Sequence, residues 1–542
     1  MHLTRFALPI LLVAISDCSC GSAAGPNGGG GGGATFARIR ITPAAITLAP
    51  GAAVTILARC TTVADTPVAC PAMSWTAAGG SRTSSSTGND TVGVYTAGPA
   101  TGGFTLQATA GQVTGAASAT ISTGGATANL TVNAGQTFQT WRGWEATPSA
   151  GWTVSRSAYD SLSGLAANDL GITRLRLEVS GNVIESQNRP GTCGASQAYV
   201  GLNDNSNPNV VNPGGFDWLC FDQKVVDYVL PLKQRVEARG LKFTLNVCYV
   251  GFITSSAFQQ TNPAEYGELV NVVLDHLKNT YGLEPDIWEV RLEPETGYQV
   301  NGTQVGLMLA AGAARARAAG YNKVMFALPS TANANNAVPY FNQAMAVPGV
   351  SPFVAELVYH RYSAPTGNTL ASINSVAVPV GVETAMLEWF SSTEHTLWQD
   401  LTQADVSSWE KYVLAGPYPS ASTGNQLYYA DLANQRFYLR TPTYYLRQYM
   451  RYIKPGDVRV GTSTALNGVE AVAFRSPLGQ ITVVANAPTA QLFHIGGLPS
   501  GTYTVSYSTA TALGAVGSSI VIGAGQTLST TLPAAGTITI AP

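Results

Sequence analysis

Apolar positions along the chain follow two rhythms, and the change between them divides the molecule. From 36 to 123 apolar and polar residues alternate, as in Ala37-Arg38-Ile39-Arg40-Ile41-Thr42-Pro43, Ala53-Val54-Thr55-Ile56-Leu57-Ala58 and Phe104-Thr105-Leu106-Gln107-Ala108-Thr109. Period-two alternation sets one face of each segment against a core and the other in water, the mark of a half-buried strand. Turn residues separate the segments, so about 90 residues form an all-β sandwich of roughly immunoglobulin size. Gly124-Gly125 closes this module, and Ala128-Asn129-Leu130-Thr131-Val132-Asn133 reads as one more strand, ended by the turn Ala134-Gly135.

From 138 the rhythm changes. Short apolar runs now alternate with Ala-rich stretches of helical spacing, the pattern of βα units. The runs are Phe138 to Trp144, Ile172 to Val179, Leu241 to Cys248, Ile287 to Glu293, Lys323 to Leu328, Phe353 to His360, Val380 to Glu388 and Ser408 to Leu414. Between them Glu265 to Asn279 is amphipathic, and Val305 to Ala319 is a helix that Gly320 would cap. Eight such units in about 320 residues predict a (β/α)8 TIM barrel over 138–455. The Asn/Pro/Gly-rich insertion from Gly181 to Trp218 is expected to shape a cleft. Alternation returns over 456–542, in Ala471 to Arg475, Ile481 to Ala485 and Tyr503 to Tyr507. It predicts a C-terminal β-sandwich side domain. The strand at 128–137 is expected to pair into that domain and so clamp the two ends of the barrel together.

Charge and cysteine content narrow the setting. A formal net charge of −2 and a charged fraction of 11% offer no basic field for nucleic acid. At the N-terminus His2 and Arg5 precede the apolar stretch Phe6 to Ile15 and then small residues, the three-part form of an export signal over 1–20. A Gly-rich linker follows at 21–35. Two destinations are open: free secretion, or a lipoprotein at the cell surface with a lipid anchor on Cys18 or Cys20, for whose cleavage Asp17 is a poor neighbour. Cysteine use fits export. Cys60 with Cys70 would staple a hairpin, and Cys193 with Cys220 would pin the long insertion, though spacing alone does not fix connectivity. Cys248 is expected to be a buried thiol. No Cys or His cluster has metal-ligand spacing, and no cofactor is expected. A monomer is the default oligomeric state.

Two of the apolar runs end in glutamate. Glu293 stands in Trp288-Glu289-Val290-Arg291-Leu292-Glu293-Pro294-Glu295, and Glu388 in Thr384-Ala385-Met386-Leu387-Glu388-Trp389-Phe390. A carboxylate at the end of a barrel strand lies at the face where barrel enzymes work. Two of them across one mouth are what glycoside hydrolysis requires. Glu289 and Glu295 compete with Glu293 for this place, and Glu383 stands near Glu388 but before its apolar run. Around them, His360 and Tyr362 in Tyr359-His360-Arg361-Tyr362 can bond Glu388 or a sugar hydroxyl, a core histidine being the plainer alternative. Trp144 and Glu145 can line a subsite. Trp389 and Trp409 can stack on sugar faces or simply pack.

Four passages together resemble clan A glycoside hydrolases, family 30 in particular. Phe138-Gln139-Thr140-Trp141-Arg142-Gly143-Trp144-Glu145 is similar to that family's first barrel strand. Glu293-Pro294-Glu295 resembles the fourth-strand motif bearing the acid/base, and Met386-Leu387-Glu388 the seventh-strand nucleophile. Tyr445 to Gly456 resembles the last barrel helix and its Pro-Gly exit into the side domain. The likeness spans 128–542. The module before it resembles bacterial immunoglobulin-like domains of the intimin/invasin type, through Ile46-Thr47-Leu48-Ala49-Pro50-Gly51 and Met73-Ser74-Trp75-Thr76-Ala77.

The clan resemblance implies a retaining hydrolase of β-glycosidic bonds in a polysaccharide or oligosaccharide, with Glu293 as acid/base and Glu388 as nucleophile. It also implies that Arg176, on the second strand, keeps the nucleophile ionised; a salt bridge with Glu178 is the alternative. One position departs from the pattern: Leu292 stands where the clan has an Asn that binds the sugar 2-hydroxyl. Asn246 is the candidate replacement. That departure keeps a second reading open, a non-catalytic carbohydrate-binding protein on a glycosidase scaffold. A third is an adhesin whose working part is the N-terminal module; the alternative for that module is a spacer.

Overall fold

The computed structural model describes residues 36–542 apart from 43, 49, 52, 85–90, 122–126, 149–151, 181–204, 206, 213, 215, 217, 252–261, 418–423 and 465. The expected export signal and linker, Cys18 and Cys20 with the lipid anchor expected on one of them, Cys193 and most of the long insertion lie outside the described residues.

Eight parallel strands close into a barrel. They are Gly143–Thr147, Ile172–Ser180, Thr244–Val250, Ile287–Glu289, Met325–Thr331, Val354–His360, Glu383–Glu388 and Ser408–Val413. Helices follow them at Arg156–Asn168, Leu230–Glu237, Pro263–Tyr281, Gly302–Ala318, Ala334–Met345, Gly367–Ala377, Glu394–Gln403 and Thr441–Met450. Local chemistry sets their ends. Asn262 caps the third helix with its side chain, and Gly282 ends it in the left-handed region at φ 67°. Asn301 and Gln304 form a reciprocal capping box on the fourth. The apolar faces of these helices and the outward faces of the strands share one continuous core.

The first and seventh strands begin later than the apolar pattern implied. The run from Phe138 divides: Thr127–Thr140 is a single long strand outside the barrel, and the first barrel strand starts only at Gly143. The cause is a competing partner. Thr137 and Thr140 pair with Val460 and Val458, and the Arg459 guanidinium lies 3.7 Å from the centre of the Phe138 ring. The seventh strand begins at Glu383 because Val378–Val380 forms a 3₁₀ turn closed by Gly381 at φ 72°.

The long strand enters the C-terminal sheet as expected, antiparallel to Val458–Thr464 and parallel to Gln491–Gly496. That sheet has nine strands in one hydrogen-bonded path, and residues from across it meet in a single apolar core. Residues 36–121 form two facing sheets around a third core, with Cys60 and Cys70 joined by a disulfide. Cys248 is free and buried. Among the described residues no helix is long and apolar enough to cross a membrane.

Candidate active site

The barrel interior is divided by chemistry. One part is a small apolar layer of Ile287, Ala327, Val358, Ala385 and Leu387. The rest is occupied by charge, arranged as two Glu–Arg–Glu bridges. In the lower one Arg174 donates to Glu145 at 2.7 Å and, through two nitrogens, to Glu356 at 2.7 and 2.9 Å. In the upper one Arg176 donates from Nε and Nη2 to both oxygens of Glu289, at 2.7 Å each, and from Nη1 to Glu388 at 3.0 Å. All of these side chains are buried or nearly so. Buried ions need this arrangement, because each would otherwise lose its hydration without compensation.

Arg176 therefore pairs with Glu289 and Glu388, and not with Glu178, which lies 3.5 Å from Lys224 instead. Its charge and hydrogen bonds work against burial, which alone would push the Glu289 carboxyl up, and hold it down at about 2. Glu388 is the opposite case. Burial outweighs the opposing influences of His360, Arg176 and Tyr362, and its carboxyl titrates above the ordinary 4.5. Tyr362 donates its hydroxyl to Glu388 Oε1 at 2.6 Å. The Glu388 backbone is fixed by its neighbours: the Trp389 N–H bonds the Lys411 carbonyl at 3.0 Å, and Lys411 Nζ donates to the Phe390 carbonyl at 2.8 Å.

Glu293 reaches the mouth by a distorted route. The fourth strand ends at Glu289, yet ladder-like bonds continue: Val290 N–H to Ala327, Leu292 N–H to Tyr249 and Glu293 N–H to Ser330, at 3.0, 2.8 and 2.8 Å. Glu293 itself sits at φ 44° and Ser330 at φ 58°. Such left-handed conformations cost a side-chain-bearing residue about 1–3 kcal/mol and persist only where the surroundings impose them. The result is that Glu293 Oε1 lies 3.0 Å from His360 Nδ1. Donor atoms of Glu293, His360 and Glu388 all lie within 4.8 Å of one another. The two carboxyl groups thus face each other across the mouth, 14% and 8% exposed, with water access limited to that side. Among the described residues these three are also the one group of His, Cys, Asp and Glu donors close enough to hold a cation. Sequence spacing does not reveal it, since the members come from three strand ends.

The other site residues fall into three places. Tyr362 and Trp389 are at the mouth, with rings 5.5 Å apart, and exposed Phe390 joins them at 5.2 Å from Tyr362. Glu145 and Asn246 are fully buried, with the Asn246 amide donating to Glu145 at 2.9 Å. Asn246 is therefore committed to the lower bridge and does not replace the missing donor at Leu292. Trp144 is not a subsite residue: strand alternation that turns Glu145 inward turns Trp144 outward. Its indole donates to the Ile453 carbonyl at 2.9 Å and packs 4.2 Å from Trp141, and Trp409 is equally enclosed. Glu383 is tied to Arg142. Glu295 accepts from the Asn333 N–H at 2.9 Å, beside the site. Sequence reasoning missed Ser330, whose hydroxyl donates to Glu289 and lies 3.3 Å from His360 Nε2. The signal available was a hydroxyl residue just past the apolar run Lys323 to Leu328. It also missed Glu410, which accepts from Thr147 at 2.6 Å and whose carboxyl burial pushes well above the ordinary range.

No protein-family model matches the chain, and no curated protein matches it either. Solved structures do. A family 30 xylanase C catalytic domain from Talaromyces cellulolyticus aligns over 76% of this chain and 99% of its own, with 18% identity and a TM-score of 0.58. A family 30 endoxylanase from Clostridium papyrosolvens aligns over 76% and 99%, with 16% identity and a TM-score of 0.54. An endo-β-1,6-glucanase covers 76% and 93%, with 14% identity and a TM-score of 0.54. At these identities the likeness is one of fold: the barrel with its β side domain has the architecture of family 30 glycoside hydrolase structures, as the sequence motifs imply.

The upper bridge makes a stability prediction. A carboxyl held near 2 contributes stability that is present above the unfolded value of about 4.5 and lost as pH falls toward 2. Glu289→Gln is expected to cost roughly 3 kcal/mol at pH 7, a cost that disappears on acidification toward pH 2. Urea denaturation of both proteins across that range checks it.

Proposed function

We propose that the protein is a retaining glycoside hydrolase acting on β-linked polysaccharide or oligosaccharide. One observation carries the reading: two carboxyls, one oxygen of each within 4.8 Å of the other's and the two differently surrounded, at the open end of a barrel. Retaining enzymes hold the pair about 5–5.5 Å apart, whereas inverting ones need about 6.5–9.5 Å to admit a water. Glu293, with Oε1 3.0 Å from His360 Nδ1, is the acid/base. Glu388, oriented by Arg176 and Tyr362, is the nucleophile. Protonation of the leaving oxygen by Glu293 accompanies attack of Glu388 on the anomeric carbon. A water deprotonated by Glu293 then releases the sugar with its configuration kept.

Xylan and β-1,6-glucan, the substrates named for the structural neighbours, mark the class of backbone to try first. The export signal fits an enzyme whose substrate lies outside the cell, either secreted or anchored. In this reading 36–123 is a spacer ahead of the barrel, whose first strand begins at Gly143, and 456–542 is the side domain. Leu292 favours one rival, a binding protein without turnover, because a leucine side chain cannot bond a 2-hydroxyl.

Proton NMR of the first product distinguishes these readings. The β-anomer should appear first, and Glu293→Ala and Glu388→Ala should each lose several orders of magnitude in rate. An α-anomer as first product would sink the retaining assignment, and binding without cleavage would favour the rival. Because Glu388 must be ionised to attack and titrates above 4.5, the acid limb of kcat/KM should also lie above that value. A limb at or below it would contradict the environment assigned to Glu388.

A further inference from the structure

Ser330 touches neither mouth carboxyl, yet it fixes which nitrogen of His360 carries hydrogen. A serine hydroxyl has one proton to give. Here it goes to Glu289, a carboxylate kept ionised by Arg176 and so able only to accept. Toward His360 Nε2, at 3.3 Å, Ser330 Oγ then presents a lone pair, and Nε2 must be the donor. His360 is fully buried, so neither nitrogen turns to water instead. With Nε2–H fixed, neutral His360 offers a lone pair at Nδ1 to Glu293 Oε1, 3.0 Å away. Two lone pairs cannot face each other at that distance. One proton has to lie between Glu293 and His360, whether drawn on the carboxyl or on the imidazole.

We infer that Ser330 is a positioning residue: through His360 it makes the mouth retain the one proton that the leaving group receives. The inference rests on the glycosidase reading and deepens it. In the first step the shared proton passes to the glycosidic oxygen as the C–O bond breaks and Glu388 bonds to the anomeric carbon. In the second the attacking water returns a proton to the same place. Other charges act on this pair from every side. Glu388 and Tyr362 face it from the seventh strand and the sixth-strand loop, Glu295 from its own loop, and Glu289 with Arg176 from below. Among the described residues only Ser330 bonds Nε2. The left-handed backbone of Ser330 aims its oxygen between the two strands, which gives that conformation a purpose.

Removing the hydroxyl frees the tautomer. In Ser330→Ala, His360 can carry its hydrogen on Nδ1 and donate to an ionised Glu293. The deprotonated pair is then stabilised, and the acid is lost at lower pH. The alkaline limb of kcat/KM should fall by about one pH unit, the worth of one hydrogen bond to a charged group. Loss of rate should grow with the basicity of the leaving group: roughly 10- to 100-fold for alkyl or sugar leaving groups and far less for dinitrophenolate, which needs little protonation. Ser330→Gly, which suits φ 58°, should behave alike and separates loss of the hydroxyl from backbone strain. Nitrogen-15 NMR of the five histidines gives a reading independent of turnover. It should show His360 Nε2 carrying hydrogen in wild type and, in the variants, Nδ1 carrying it in place of Nε2. An unmoved alkaline limb with equal losses for all leaving groups, or an unchanged tautomer, would overturn the inference. Absence of wild-type turnover on any glycoside, with the tautomer change intact, would instead defeat the glycosidase reading alone.

Discussion

Arg176 is the interaction on which the rest of the site depends. Its three nitrogens reach both oxygens of Glu289 and one of Glu388, inside a barrel where an unpaired charge would cost several kcal/mol. One cation thus serves two purposes. It makes Glu289 a fixed anion, and through Ser330 that anion orients His360 and hence Glu293. It also draws Glu388 toward ionisation, against burial that would keep it neutral. The two mouth carboxyls meet the same arginine differently, Glu388 directly and Glu293 through the chain Glu289, Ser330 and His360.

The packing below the mouth explains why such a charged interior is tolerated. Glu145, Arg174 and Glu356 form a second bridge beneath the first, and Ile287, Ala327, Val358, Ala385 and Leu387 fill the remainder. Within that lower bridge the guanidinium and the two carboxyls satisfy one another and leave the apolar part free of them. The left-handed backbones at Glu293 and Ser330 are held by the hydrogen bond between them and by the ladder that continues past the fourth strand. The side sheet adds a constraint from outside, since the strand through Phe138 and Thr140 is paired into it directly before the barrel begins.

Much of this was legible in the sequence, for physical reasons that also mark where legibility stops. Apolar runs of strand length between helical stretches report burial on a βα scaffold, and each of the eight touches a barrel strand, the Phe138 run only at Gly143 and Trp144. Glu293 and Glu388 were visible because a charged residue ending an apolar run is conspicuous. Trp144 and Asn246 were misplaced because a one-residue change in facing, or a partner on the adjacent strand, leaves no trace in composition. The Phe138 run was assigned to the barrel because alternation shows that a strand exists but not which sheet it joins. Ser330 and Glu410 were invisible: a serine and a glutamate acquire their roles only from Glu289, His360 and Thr147, which are remote in sequence.

The most direct test is to trap the intermediate. A 2-deoxy-2-fluoro β-glycoside with a good leaving group should inactivate the enzyme with one sugar bound per chain, and peptide mapping should find it esterified to Glu388. A label on Glu293, Glu289 or any other residue, or steady turnover with no covalent adduct, would contradict the account.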